Sequence, residues 1–145
     1  MEREKAMNLK GTKSLFIPLA LVLGTSAVNA ESIQEWGTSR ASDLNRCSYL
    51  ASNAFIMGDD LPGRESKVST CVEQATTSAK SGYQELAPNL KPSAAAALKA
   101  YFTAWTGSMR SLPKMVYGTS GRFSSSTEAD RRRLQELWAA LELEL

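Results

Sequence analysis

No histidine occurs among the 145 residues, and that absence removes histidine-centred catalytic triads and histidine-liganded metal sites together. Cysteine is nearly as scarce, with Cys47 and Cys71 alone. In an exported chain such a pair favours one disulfide over a metal site or a catalytic thiol. Long apolar runs are missing as well. The stretch LFIPLALVLG from Leu15 to Gly24 falls short of the roughly 20 residues that a membrane-spanning helix requires, and Pro18 interrupts it. No segment alternates apolar and polar residues as a half-buried strand does, and no internal repeat is evident.

What the N-terminus does carry is the layout of a cleavable signal. Arg3, Lys5, Lys10 and Lys13 precede the apolar run, and the small-residue stretch TSAVNA follows it. Val28 and Ala30 sit where signal peptidase reads small side chains, so cleavage is expected to leave Glu31 as the new N-terminus. Met7 is an alternative start that gives a shorter basic region. No cysteine follows the cut, so a lipoprotein anchor is not indicated. The competing reading is an amphipathic N-terminal helix that is retained.

Cleavage changes the charge argument. The chain has 17 basic and 15 acidic residues; residues 1–30 hold four of the basic and two of the acidic, which leaves 13 of each in residues 31–145. A neutral domain has no long-range field to attract nucleic acid or an anionic surface.

Residues 31–145 read as one all-α domain, either a four-helix antiparallel bundle or two packed helical hairpins. The first helix is expected over 32–57, with Ser32 as N-cap, Glu35 completing a capping box and Gly58 ending it. Ile33, Trp36, Leu44, Cys47, Leu50, Ala51 and Ala54 form its apolar stripe, which Arg40 interrupts. A turn through GDDLPGRES follows. Its adjacent acids lack the alternating ligands of a calcium loop. A second helix over 64–87 carries Val68, Cys71, Val72, Ala75, Ala79, Tyr83 and Leu86 at helical spacing. Cys47 and Cys71 then fall at similar heights on facing stripes, and a disulfide there closes a loop of about 24 residues, worth roughly 3 kcal/mol. The alternative is two reduced, buried thiols acting as small hydrophobes.

Pro88 and Pro92 break the pattern. A third helix over 92–112 places Ala95, Leu98, Phe102, Trp105, Met109 and Leu112 on one face, widened by Tyr101, and Pro113 is expected to end or kink it. Residues 114–126 read as a flexible connection, with MVY a possible helix extension and GTSGRFSSS a loop. A fourth helix over 127–144 starts at Thr127 and carries Leu134, Leu137, Trp138, Leu141 and Leu145. Its Arg131-Arg132-Arg133 triplet can pair along the helix, Glu128 to Arg132 and Arg132 to Glu136, which is a simpler reading than phosphate binding. Trp36, Trp105 and Trp138 fall on apolar faces of different helices and are expected in the core rather than on a carbohydrate platform.

Three functional classes fit this chain. The first is a non-enzymatic interaction or accessory factor of the bacterial periplasm or secretome, of binding or inhibitor type, whose partner is another envelope or extracellular protein. No nucleic acid, cofactor or metal is expected, nor any stable membrane anchor after cleavage. Arg122 and Phe123 are its candidate partner contact, since they join a cation to an apolar anchor in a small-residue segment; the alternative folds Phe123 back on the bundle. The second class is a small-molecule carrier with an inter-helix apolar pocket lined by the tryptophans and Tyr83, Tyr101 or Tyr117. The third is an enzyme working through carboxylates such as Glu35, Asp43, Glu73 and Glu85, whose ordinary helix-surface spacing suggests solubilising charge instead. A cavity of a few hundred Å³ would favour the carrier, and a solid core with an exposed apolar patch the interaction protein.

Overall fold

The computed structural model describes residues 30–57 and 60–145. The expected signal segment and the proposed capping role of Gly58 lie outside the described residues. Four long helices make up the domain: α1 (Ala30–Ser52), α3 (Leu61–Leu86), α4 (Pro92–Met115) and α5 (Ser120–Glu142). A single turn, α2 (Ala54–Met57), follows α1, and a 3₁₀ turn over Ala87–Asn89 follows α3. No strand occurs among the described residues.

Each boundary that departs from the sequence expectation has a local cause. Helix α1 begins no later than Ala30, which puts Ser32 inside its first turns and not at the cap. It stops at Ser52 because the ladder is reset there. The Ser52 hydroxyl donates to the Tyr49 carbonyl, and the Ile56 amide donates to Asn53. Helix α3 begins three residues early, at Leu61, because Asp60 caps it. Asp60 takes a left-handed conformation (φ 54°) and its carboxylate accepts from the Gly63 amide at 3.1 Å, while Pro62 sits in the first turn, where no N–H is needed. A Cβ on Gly63 would lie 2.1 Å from that carboxylate, which would have to shift to admit it.

The larger correction concerns residues 114–126. Helix α4 runs through Pro113 to Met115, and Val116 beyond it is buried. A proline two residues from the end of a helix disturbs only its last turn, and burial of Leu112 and Val116 on either side offsets that loss. Only Val116–Thr119 then connect to α5, which starts at Ser120 instead of Thr127. Thr119 is extended, and its hydroxyl accepts from the Arg122 amide, a side-chain cap. Phe123 is buried against Phe55, ring centroids 5.4 Å apart, and this contact holds in helix a serine-rich stretch that has little local preference for it. Thr127 lies within α5, its hydroxyl donating back to the Phe123 carbonyl.

Cys47 and Cys71 form a disulfide, their Cα atoms 5.7 Å apart, and both are buried. It staples α1 to α3 five residues before the end of α1. Beyond this hairpin, α3 packs on α4, α4 on α5, and α4 also lies along α1. Contact between α1 and α5 is slight. The bundle is therefore closed on three seams and open along the fourth.

Candidate functional site: the α1/α5 groove

Small residues create the open seam. Gly37, Thr38 and Ala41 occupy consecutive turns of α1 on the side that faces α5, and with Gln34, Leu44 and Asn45 they form one wall. Arg131, Leu134, Gln135, Trp138, Ala139 and Glu142 form the other, at the same three-and-four spacing on α5. Helix α4 supplies the floor with Tyr101 and Trp105. The space between them is a groove of about 400 Å³, within the range of small-molecule sites.

Each end of the groove is tied across. At one end the Gln34 amide and the Trp138 indole N–H both donate to the same Glu142 oxygen, each at 2.8 Å, and these bonds hold the Glu142 carboxyl below its usual range. At the other end Arg131 donates to the Asn45 side-chain carbonyl at 3.2 Å. The expected pairing of Glu128 and Glu136 with Arg132 does not form, because the ion pairs among the described residues are Arg40–Asp43, Arg46–Asp43 and Lys114–Glu65.

The groove rests on a connected set of rings. Trp138 meets Tyr101 edge-on at 5.1 Å, and Tyr101 meets Trp36 at 5.9 Å. Trp36 reaches Phe102, which stacks on Tyr83 at 4.7 Å and lies nearly parallel to Trp105. Two of the three tryptophans sit on glycine. A Cβ on Gly37 would come within 2.2 Å of the Trp138 ring, and one on Gly82 within 2.5 Å of Trp36. Trp36 is fixed further by its indole N–H, which donates to the Ala79 carbonyl.

Arg40, which breaks the apolar stripe of α1 in the sequence, is 4 % exposed. Its guanidinium lies 5.4 Å from the centre of Trp36 and 5.6 Å from that of Trp105. It pairs with Asp43 at 3.0 Å, and Asp43 also takes Arg46 at 3.1 Å. The Trp105 indole N–H donates to the Arg40 backbone carbonyl at 2.9 Å. A buried cation between two ring faces is stabilised by the rings and by its carboxylate; it also fixes the floor of the groove by holding Trp105. Sequence reasoning noted Arg40 only as an interruption of the stripe, and offered an inter-helix pocket lined by tryptophans and Tyr101 without placing it between α1 and α5. The one available signal was a charge at an inward position four residues from Trp36 on α1.

The remaining candidates are dispersed. Arg122 is exposed in the first turn of α5, while Phe123 beside it is part of the core. Among the proposed carboxylates, Glu35, Glu73 and Glu85 are exposed on helix surfaces, and Asp43 is held by its two arginines. Tyr83 packs within the ring cluster. Tyr117 lies outside the groove, donating to Glu65 at 2.6 Å beside Lys114, and both bonds lower the Glu65 carboxyl. Among the described residues no group of three or more cysteine, aspartate or glutamate side chains could hold a metal ion, and no helix is long and apolar enough to cross a membrane. Comparison with family models, curated proteins and solved structures gave no match.

Proposed function

We propose that this protein is a non-enzymatic binding protein of the bacterial periplasm or secretome, and that a small, largely apolar molecule occupies the α1/α4/α5 groove. One observation carries the reading: a groove of about 400 Å³ floored by Tyr101 and Trp105, walled by Trp138 and bordered by polar side chains. Ligand sites characteristically combine apolar and aromatic lining with a few placed polar groups. Export rests on the basic, apolar and small-residue order of residues 1–30 and on the Cys47–Cys71 disulfide, which belongs to an oxidising compartment.

N-phenyl-1-naphthylamine, a neutral dye that fluoresces in apolar surroundings, tests the site directly. We expect it to bind the purified protein, and we expect Ala41→Trp to abolish binding. Ala41 is exposed on the groove wall, so the larger ring fills the site without entering the core. Undiminished dye binding by a folded Ala41→Trp protein would refute the assignment.

A second reading draws on exposed apolar side chains at the tip of the first hairpin. Tyr49 and Ile56, 67 % and 77 % exposed, would suit a protein partner. Copurification from envelope extract that survives Ala41→Trp but not Ile56→Ser would favour it.

A further inference from the structure

The border of the groove is electrically lopsided. Glu142 at one end is already engaged, with two donors on one oxygen. Arg131 at the other end has only the neutral Asn45 amide as a partner among the described residues, and no acid lies within ion-pair distance of it. The Arg131 guanidinium thus borders a largely apolar groove with no ion-pair partner among the described residues.

The floor of the groove also offers a donor. Tyr101 is 5 % exposed, lines the groove, and its hydroxyl has no hydrogen-bond partner among the described residues. Burial pushes that phenol up to about 12, so it keeps its proton at any physiological pH. Gln135, one turn beyond Arg131 on the same wall, adds an amide.

We infer that the groove selects a planar aromatic carboxylate, its ring against Trp138 over the Tyr101 floor and its carboxylate paired with Arg131. This deepens, and rests on, the binding reading above. A carboxylate gives the guanidinium a charge-assisted, two-point partner in place of a single neutral amide oxygen. A neutral aromatic of the same shape gains only the ring contacts, and a cationic one meets Arg131 with the wrong sign. Glu142, tied to Gln34 and Trp138, is kept from competing for the arginine.

Isothermal titration with 2-naphthoate, 2-naphthol and 2-naphthylmethylammonium at neutral pH separates these cases. We expect 2-naphthoate to bind about tenfold or more tighter than 2-naphthol, the margin expected of a hydrogen bond to a charged group, and the ammonium compound to bind weakest. Arg131→Gln, at an exposed position, should erase the preference for the acid over the alcohol. Arg131→Lys should restore part of it. Equal affinity for acid and alcohol, or a preference that survives Arg131→Gln, overturns the inference while leaving the groove as a site. Failure of all three probes and of the neutral dye removes the groove reading, and this inference with it.

Discussion

Replacing Cys47 and Cys71 together by alanine removes the staple between α1 and α3 without placing a hydroxyl in the core, where Cys47 is wholly buried. The residues are 24 apart in sequence, and freeing a loop of that length returns about 3.5 kcal/mol of conformational entropy to the unfolded chain. Against a total stability on the order of 5–15 kcal/mol, the loss is large. Unfolding entropy of about 2.1 cal/mol/K per residue over some 115 residues gives about 0.24 kcal/mol per degree. The loop contribution alone therefore lowers Tm by about 15 °C. Thermal and urea unfolding followed by circular dichroism measure both quantities, and the urea slope should rise because an uncrosslinked unfolded chain exposes more surface. A fall of under about 5 °C with an unchanged slope would refute this origin for the stability.

Four further outcomes are expected. Gly82→Ala, which drives a Cβ against Trp36, should cost more than Gly37→Ala, because Trp36 is buried while half-buried Trp138 can swing outward; about 2–3 against about 1 kcal/mol is anticipated from overpacking, and the reverse order in denaturant melts would contradict it. Arg40→Ala should destabilise by about 3–5 kcal/mol, because it loses the buried pair with Asp43 and also leaves a void between Trp36 and Trp105, whereas Arg40→Met, which loses the same pair but keeps a stem between the rings, should cost about 1–2, Asp43 retaining Arg46 in both; equal losses would show that charge alone matters. The Tyr101 hydroxyl ionises near 10 when unfolded and about 12 when folded, so its contribution is intact below pH 10 and is lost as pH rises towards 12, by about 2–3 kcal/mol; Tyr101→Phe should flatten that alkaline decline relative to wild type, and identical pH profiles would refute the assignment. N-terminal sequencing of the exported form should begin at Glu31, and an intact N-terminus would dismiss the signal.

The parts of the fold that were legible in sequence depend on local periodicity. The stripes of α1 and α3 fix which faces meet, so Cys47 and Cys71 could be paired before any coordinates, and Trp36 and Trp105 could be placed inside. Residues 114–126 were not legible, because their helix is held by a distant contact: Phe123 meets Phe55 from the far side of the chain, and no count of glycines and serines contains that information. Arg40 reads in sequence as a flaw in a stripe, since its burial depends on rings contributed by α1 and α4 together. The groove is still less local. It arises from the light contact between α1 and α5, and only the small residues Gly37, Thr38 and Ala41 on consecutive turns hinted that two helices there leave room between them.

The three indole N–H signals of the ¹⁵N-labelled protein offer the most direct test of the groove as a binding site. Trp105 and Trp138 line it, and Trp36 donates instead to Ala79 on α3. On addition of 2-naphthoate we expect the Trp138 and Trp105 signals to move while Trp36 stays in place. Movement of Trp36 alone, or none at saturating ligand, would contradict it.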